Sequence, residues 1–423
     1  MPRTLTAAAL LAAVLASPAL AAPAGDVAKI VGSPAFKAAV ATLDREHDRT
    51  VADIVTLTEI PAPPFKEEAR GKAYRAMLEA HGLTDVEIDA EGNVMALRKG
   101  TKGGPVVVVS AHLDTVFPEG TDVKVRREGT KLYAPGIADD SRALAVLLAW
   151  ARAMDAAKIR TQSDILFVGT VGEEGAGDLR GVRHFFTQGK YKDRTKAFFS
   201  VDGLDPSQIT HIGVGSKRYR VTFKGPGGHS YGAFGIVNPM AAMSKAVTDL
   251  YAIQPPTSPK VTYSASITGG GTSVNAIPDK VFTDFDMRSA DAGELAKLET
   301  RFKAIMDEAV VHENKARSTR FGSVSVDLTP IGDRPAGQTA LTAPLVADTA
   351  AAITALGFKP SFNASSTDAN APMAKGVPAI TIGSGGTGGR AHSLEEWIDV
   401  EKAPSVRGMS VGLAAVLAAA GVD

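Results

Sequence analysis

Histidine and carboxylate side chains recur in five short segments of this chain, most of them at the end of a predicted strand. They are His112 and Asp114, Asp139, Glu173 and Glu174, Asp202, and His392. Closely spaced acids repel one another unless a cation lies between them. Mixed histidine and carboxylate ligands without cysteine suit zinc, or less selectively manganese or cobalt, in a catalytic site with an open coordination position. Five such segments in one sheet therefore predict a metal centre.

Each segment taken alone also has a structural explanation. A histidine at a strand end is more often a satisfied structural residue than a ligand. In His112-x-Asp114 the two side chains point to the same side of an extended chain, so Asp114 can accept the second ring N–H and fix the tautomer. Asp139 precedes a predicted helix and is equally explained as its N-cap. Glu173 and Glu174 resemble solvated charge, but open α/β sheets bind ligands at the carboxyl ends of central strands.

Short apolar runs rich in β-branched residues predict the strands that position these side chains. The runs cover residues 106–110, 165–170, 197–201 and 379–382, and they alternate with helical stretches such as 142–156. Apolar strands separated by helices are typical of a parallel sheet with both faces covered. We therefore expect an α/β fold with a mostly parallel sheet and helices on both faces.

The pattern changes between residues 216 and 329. Strand, helix, strand, strand, helix and strand follow one another, which is the order of a ferredoxin-like α+β domain. One face of the second helix is apolar and carries Leu295, Leu298, Phe302, Ile305, Met306 and Ala309, with helical spacing. We therefore predict an inserted domain at 216–329, which divides the larger domain into residues 22–215 and 330–423.

Composition limits the classes of partner. The chain has 423 residues, 44% of them hydrophobic, and its formal net charge is zero. The length allows one large core and a second domain. Without excess charge, no long-range field would attract nucleic acid or an anionic membrane surface. No cysteine is present, which excludes disulfides and a lipid-modified cysteine.

The first 21 residues predict a secretion signal. Arg3 precedes an apolar run at residues 5–16, and Ala19-Leu20-Ala21 has the small-x-small form of a signal-peptidase site. A membrane anchor is the alternative, but the apolar run is shorter than the roughly 20 residues that span a bilayer. We expect a signal peptide at 1–21 and a periplasmic or secreted protein without membrane contact after cleavage.

Taken together, the residues of the five segments resemble the motif of a known family in order and spacing. This is the family of two-zinc exopeptidases and deacylases, which includes peptidase T, the glutamate carboxypeptidases, aminoacylase and succinyl-diaminopimelate desuccinylase. The resemblance covers nearly all of the chain after residue 21, and it includes the inserted domain, which is a lid in this family. It implies a hydrolase that cleaves amide bonds with two zinc ions per chain, for which manganese or cobalt are possible substitutes.

The resemblance also implies a role for each metal ligand. Asp139 matches the residue that bridges the two metals. His112 and Asp202 are expected to complete the ligands of one metal, and Glu174 and His392 those of the other. The bridging residue is followed by Asp-Ser-Arg-Ala at 140–143, where many relatives have Asp-Lys-Gly-Gly or Met-Lys-Gly-Gly. Helix packing is expected to differ there, without loss of a ligand.

Five further roles follow from the same resemblance. Glu173 matches the general base, and Asp114 the residue that orients the histidine of the first metal. In the lid, His229 resembles the histidine that hydrogen-bonds the tetrahedral oxyanion, in dimeric members from the partner subunit. Asn275 and Arg288 match the residues that hold carbonyl or carboxylate groups of the substrate. From spacing alone, Arg288 is better explained as a surface charge on a strand. The resemblance instead favours a role in substrate binding.

Position 202 bears on the substrate. Carboxypeptidase and desuccinylase relatives usually carry glutamate there, whereas peptidase T and several dipeptidases carry aspartate, as this chain does. The resemblance therefore implies an unblocked di- or tripeptide, cut as by an aminopeptidase or dipeptidase. A carboxypeptidase or an N-acyl-amino-acid deacylase of the same fold is the alternative. A non-catalytic binding protein is the third interpretation, and the intact Glu173 argues against it because a metal-binding relic need not keep the base.

The inserted domain also bears on the oligomeric state. A small sandwich can pair with itself about a two-fold axis, so we expect a homodimer formed through the lid. The partners of the chain are then a second copy and a small peptide or N-acyl amino acid substrate. His47, His81 and His312 occur in or at the ends of polar helical stretches, and we expect them to be solvated. We expect these three, and also His184 and His211, to lie outside the site.

Overall fold

The computed structural model describes residues 24–423, so the predicted signal peptide lies outside the described residues. Numbered along the chain, the helices are α1 Ala24–Gly32, α2 Pro34–Arg45, α3 His47–Thr58, α4 Glu68–Ala80, α5 Arg142–Ala156, α6 Arg180–Gln188, α7 Pro239–Tyr251, α8 Ala292–Ala316, α9 Pro344–Ala355, α10 Asn370–Ala374 and α11 Lys402–Ala420. The strands are β1 Thr84–Ile88, β2 Val94–Arg98, β3 Val106–His112, β4 Arg126–Glu128, β5 Lys131–Tyr133, β6 Asp164–Thr170, β7 Thr195–Val201, β8 Gln208–Gly213, β9 Gly215–Lys224, β10 Gly228–His229, β11 Val261–Gly270, β12 Ala276–Ile277, β13 Lys280–Ser289, β14 Ser325–Arg334, β15 Gly337–Gln338, β16 Ser361–Ser365, β17 Ala379–Ile382, β18 Thr387–Gly389 and β19 Trp397–Asp399.

One large sheet organises the larger domain. Its strand order is β1-β2-β6-β3-β7-β17-β8-β15, with β16 paired to β8. The four central strands β6, β3, β7 and β17 are parallel, and both flanks are antiparallel apart from the parallel pair β16 and β8. Every residue of β3 and β6 is buried, as expected for strands covered on both faces. The predicted α/β class is confirmed, with a parallel centre inside a mixed sheet.

Helices cover both faces of this sheet. Helices α1 to α5, α9 and α11 contribute to the larger core, while α6 and α10 cover the opposite face with a smaller core. The Trp150 indole in α5 donates to the Met409 carbonyl in α11 at 2.9 Å, which fixes these two buried helices side by side. Within residues 24–423, α11 is the helix that is long and apolar enough to cross a membrane. It is mostly buried, as a core helix would be.

The packing of α3, α4 and α5 corrects one prediction. His47 begins α3 and is buried, because α3 packs against α5. His81 follows α4 and is half-buried, with Arg49 Nη2 at 3.2 Å and Arg152 Nη1 at 3.0 Å from its ring nitrogens. The prediction that these two histidines are solvated is therefore wrong. His312 on α8 is exposed, as predicted.

The inserted lid is an antiparallel sheet with two helices on one face. Its strand order is β11-β13-β9-β14, and α7 and α8 pack against it to enclose a core of their own. All six apolar positions predicted for one face of α8 are buried. The order β9, α7, β11, β13, α8, β14 confirms the ferredoxin-like insertion. Strand β14 continues to Arg334, past the predicted lid boundary at residue 329.

Candidate metal centre

The predicted metal ligands lie together at the carboxyl ends of the central strands. His112 is the last residue of β3, Glu174 lies four residues after β6, and Asp202 follows β7 directly. Asp139 lies in the turn before α5, and His392 lies in the loop between β18 and β19. Because the central strands are parallel, their carboxyl ends share one edge of the sheet.

Asp139 lies between the two histidines. Its Oδ1 is 2.8 Å from His112 Nε2, and its Oδ2 is 3.1 Å from His392 Nε2. His392 Nε2 is also 2.8 Å from Glu174 Oε1. A carboxylate whose two oxygens are directed at two different imidazoles has the arrangement that a bridging ligand requires.

Two groups of donor atoms each converge within 4.8 Å. One consists of His112, Asp139 and Glu174, and the other of His112, Asp140 and Asp202. Asp140 was not predicted as part of the site. It is buried, its Oδ2 accepts the His112 main-chain N–H at 3.0 Å, and its Oδ1 has no hydrogen-bond partner among the described residues. The adjacent acids at 139 and 140 were the only sequence signal for this role.

Buried negative charge shapes the titration of the site. Burial raises the pKa of Asp202 to about 7, with the nearby Asp139 adding to the shift. Burial likewise raises the pKa of Asp140 well above its usual value. Hydrogen bonds to Asp139 and Glu174 raise the pKa of His392 to about 10. Several carboxylates thus lie close together in a buried site, and bound cations would neutralise their charge. The donor set of imidazoles and carboxylates therefore fits divalent metals such as zinc.

Backbone geometry at His392 supports this assignment. His392 has a φ of 64° and Arg390 a φ of 60°, in the left-handed region that side chains other than glycine rarely adopt. Such conformations cost roughly 1–3 kcal/mol and cluster at functional sites. The loop thus holds an exposed imidazole against Asp139 and Glu174 in spite of the backbone cost.

Asp114 orients two parts of the centre. The His112 Nδ1 hydrogen bond goes to the Asp114 main-chain carbonyl at 2.9 Å, while the Asp114 carboxylate lies 3.6 Å from that nitrogen. The carboxylate instead accepts the main-chain N–H groups of Glu173 at 3.0 Å and Glu174 at 2.8 Å. The carbonyl contact leaves His112 Nε2 as the ligand nitrogen, and the carboxylate positions the glutamate pair.

Glu173 is held by an arginine from the end of the lid. Arg334 is the last residue of β14, its Nη1 donates to Glu173 Oε1 at 3.2 Å, and its Nη2 donates to the Glu173 carbonyl. Both side chains are buried. Burial raises the pKa of Glu173 well above its usual value, and the guanidinium acts in the opposite direction. No feature of the sequence identified Arg334 as a partner of Glu173.

A cleft of about 510 Å³ opens over these residues. Its walls carry Arg218, Arg288, Gln208, Thr210 and Asn363. The Asp286 carboxylate pairs with two of them, accepting from Arg218 Nε at 3.0 Å and from Arg288 Nε at 2.6 Å. Arg288 thus lies in the cleft, where a substrate group can meet it, and Arg218 is an additional cation that sequence reasoning missed.

The other two predicted substrate residues lie elsewhere on the lid. His229 and Asn275 are exposed and are not part of the cleft lining. They lie close to each other, because β10 pairs with β12 and the Ser230 N–H donates to the Asn275 carbonyl at 2.9 Å. Within this one chain the structure brings them together with each other and not with the metal centre.

Comparison with known proteins places these features in a family. The model of peptidase family M20/M25/M40 matches residues 108–416. A curated relative, succinyl-diaminopimelate desuccinylase of Leptothrix cholodnii, is 26% identical over 253 residues, which are 54% of this chain and 63% of that protein. Carboxypeptidase G2 of Pseudomonas sp. (strain RS-16) is 32% identical over 122 residues, 26% of this chain and 29% of that protein. The chain thus matches less than two thirds of the length of these curated relatives.

Solved structures with the same fold match over most of their length. Aminopeptidase PepT from Bacillus cereus is similar with a TM-score of 0.70 and 20% identity, covering 88% of this chain and 99% of that one. A Bacillus subtilis protein described as a dinuclear metal binding peptidase from the M20 family has a TM-score of 0.65 and 17% identity, covering 89% and 99%. The fold and the family model agree with the resemblance seen in the sequence. The chain belongs to peptidase family M20/M25/M40.

Proposed function

We propose that this protein is a metal-dependent exopeptidase that hydrolyses amide bonds of small peptides with two zinc ions per chain. The observation that carries the proposal is the position of Asp139, whose two carboxylate oxygens face His112 and His392. Glu174 and Asp202 supply one further carboxylate on either side. Another carboxylate, that of Glu173, lies beside these ligands, which suits Glu173 to proton transfer.

Different residues of the chain are suited to different steps of hydrolysis. When bound, the metal pair supplies an acidified water and a Lewis acid for the scissile carbonyl. Glu173 would accept a proton from the attacking water and would pass it to the leaving amine. Arg334 holds the Glu173 carboxylate and main-chain carbonyl in place, so that the base needs little reorganisation when the substrate arrives.

The cleft supports a short, anionic substrate. A volume of about 510 Å³ suits a molecule of two or three amino acids. Arg288 and Arg218 line one wall, and they share the single counter-charge of Asp286. One cation is therefore left to hold a substrate carboxylate, for which the planar guanidinium is well suited.

An N-acyl-amino-acid deacylase or carboxypeptidase is the second candidate. The curated relatives are named as desuccinylases and a carboxypeptidase, and both reactions also leave a substrate carboxylate to be held. The aminopeptidase and tripeptidase among the solved structures and the aspartate at 202 favour a free peptide instead.

We further propose that the lid pairs with the lid of a second copy. Tyr231 is 89% exposed and Phe234 is 83% exposed, and Val274 is also fully exposed. These apolar side chains are neighbours in sequence of His229 and Asn275, which lie close to each other. Exposed apolar patches of this kind commonly mark protein interfaces. A two-fold pair would cover them and carry His229 towards the partner's cleft.

A substrate panel tests the proposed reaction. The purified chain would be assayed for metal content and then for turnover of free di- and tripeptides, N-acyl amino acids and C-terminal glutamate conjugates. We expect about two metals per chain and release of amino acids from free peptides. Glu173→Gln should keep its metal and lose at least about 100-fold in kcat, because general-base catalysis contributes on that scale.

Other results would favour the second candidate reaction or contradict the proposed metal centre. Preference for N-acyl amino acids or glutamate conjugates would establish the second candidate. Bound metal without turnover of any of these compounds would contradict both candidate reactions. A wild-type chain that binds no divalent metal would contradict the proposed metal centre itself.

A further inference from the structure

A buried glutamate outside the predicted site holds the loop that carries Asp139. The Glu396 side chain is wholly buried. Its Oε1 accepts the main-chain N–H groups of Ala138 at 2.7 Å and Asp139 at 3.0 Å, and its Oε2 accepts that of Gly136 at 3.2 Å. Three charge-assisted hydrogen bonds thus converge from the 136–139 turn on one carboxylate.

These N–H groups have no alternative helical partner. They lie at the start of the segment Ile137–Ser141, in which Asp139 and Asp140 have non-helical backbone angles, and the first main-chain donors of such a segment lack acceptors within it. No side chain of the turn itself caps it. Glu396 therefore does from a distant segment what an N-cap residue does locally, and it fixes the position of the Asp139 main chain.

Glu396 also belongs to the segment that carries His392. It lies four residues further along the chain, just before β19. Its own carbonyl accepts the Ala134 N–H at 3.1 Å, and β19 then pairs with β5 on the far side of the same turn. One residue therefore joins the loop of His392 to the loop of Asp139 through both its main chain and its carboxylate.

The same device holds two other ligand segments. The Asp140 carboxylate accepts the main-chain N–H of His112, and the Asp114 carboxylate accepts those of Glu173 and Glu174. The segments of His112, Asp139 and Glu174 are thus each fixed by a buried carboxylate from a different segment. Asp140 is itself one of the converging donors and Asp114 contacts the His112 ring, whereas Glu396 acts through the main chain.

We propose that Glu396 is a positioning residue that sets the relative placement of Asp139 and His392, and thereby the affinity of the site for its metals. The proposal rests on the metal centre of the proposed function. Residues that orient metal ligands without binding the metal commonly change metal affinity or activity by about 10- to 100-fold when they are mutated.

The test compares Glu396→Gln with a matched control in the full chain. A glutamine has the same shape, but one of its two terminal atoms is an NH₂ group, which faces an N–H donor of the turn instead of accepting from it. Glu395→Gln is the control, because Glu395 is the adjacent residue, carries the same charge and is exposed. Metal retention would be titrated with a competing chelator, and the visible spectrum of the Co²⁺-loaded protein would be recorded at saturating metal.

We expect Glu396→Gln to release metal at a chelator concentration about 10- to 100-fold lower than the wild type. The Co²⁺ spectrum should also change, because Asp139 and His392 would no longer be held at the same separation. Glu395→Gln should match the wild type in both measurements. Thermal unfolding of the metal-free proteins would be measured in parallel, since a role confined to folding lowers the unfolding midpoint without changing the spectrum of the loaded protein.

Two results would overturn the proposal. One is an unchanged chelator midpoint and Co²⁺ spectrum in Glu396→Gln, whether or not its metal-free form unfolds earlier. The other is an equal change in Glu395→Gln, which would reflect charge alone. Should Glu396→Gln fail to fold, Glu396→Asp would replace it, since it keeps the carboxylate but shortens its reach, and the same readouts apply. A wild-type chain without metal would instead contradict the proposed function.

Discussion

Arg334 fixes the predicted base from two directions, since it contacts both the carboxylate and the carbonyl of Glu173. Truncation to alanine removes both contacts and frees the carboxylate to rotate. We expect Arg334→Ala to lower kcat by about 100-fold, the scale of loss produced by small misplacement of a catalytic group. Arg334→Lys should recover little, because an ammonium group cannot make both contacts in the same geometry.

Steady-state kinetics with metal analysis would check this expectation. Metal content should stay at the wild-type value, because Arg334 contacts no predicted ligand. Arg220→Ala is the matched control, since Arg220 is exposed on β9 and pairs with Asp284 away from the cleft. A rise in KM with an unchanged kcat would show that Arg334 holds the substrate and not the base.

The ligands and their partners differ in how far the sequence could predict them. His112, Glu174 and Asp202 end or closely follow apolar strands, so local pattern was enough to mark them. Arg334 and Glu396 act on segments 161 and about 258 residues away. Nothing in their local sequence separates them from ordinary charged residues, because their role exists only after the chain has folded. Roles for all of these residues remain predictions until the variants are measured.

At the scale of elements, the junction of α3, α4 and α5 predicts a pH-dependent stability. Burial, and then the cations Arg152 and Arg49, lower the pKa of His81 to about 4. An unfolded chain protonates histidine near pH 6.5. Between pH 6.5 and 4 the unfolded state therefore binds more protons than the folded state, and stability falls as the pH falls.

Replacing His81 by glutamine should flatten this dependence. We expect the urea midpoint of metal-free His81→Gln to change less between pH 7 and pH 4.5 than that of the wild type. His312→Gln is the control, because His312 is exposed on α8 and should leave the dependence unchanged. Equal slopes for the wild type and His81→Gln would show that His81 does not titrate differently in the two states.

Elements with strong local patterns were predicted well, and the others were not. The central strands were found because they are apolar throughout, and α8 because its apolar face has helical spacing. The flanking strands β1, β8, β15 and β16 were missed, because these strands are short and partly exposed. Arg142 is buried and donates to the Gly385 carbonyl at 2.9 Å, a packing contact whose partner the local sequence did not identify.

At the scale of the whole molecule, the proposed dimer predicts that two impaired variants regain activity when they are mixed. A monomer would not show this recovery. His229→Ala has an intact Glu173, and Glu173→Gln has an intact His229. If His229 serves the partner's cleft, each variant alone is impaired, but a mixed dimer has one complete site. Equal mixing after dissociation should therefore restore about a quarter of wild-type activity, because half of the dimers are mixed and each has one working site.

Activity of the mixture would be followed together with its mass in solution. An inactive mixture of dimers would show that His229 acts within its own chain, whereas full activity of His229→Ala alone would show that His229 has no role in the reaction. A monomeric wild-type protein would contradict the proposed interface.

The order of elements in the sequence predicted the lid. The apolar side chains of Tyr231 and Phe234 became candidates for an interface only when the structure showed that they are exposed. Export also stays a prediction, since its signal lies outside the described residues.

Arg334 belongs to the lid by its strand and to the metal centre by its contacts. The boundary between the two domains is therefore not a boundary of function. Replacing residues 216–329 by a short linker would spare every predicted metal ligand and would even retain Arg334 in the chain. It would nevertheless remove the sheet that holds β14 in register. The Arg334 guanidinium would then no longer be held against Glu173. The larger domain alone would then be a metal-binding protein whose base has lost its support.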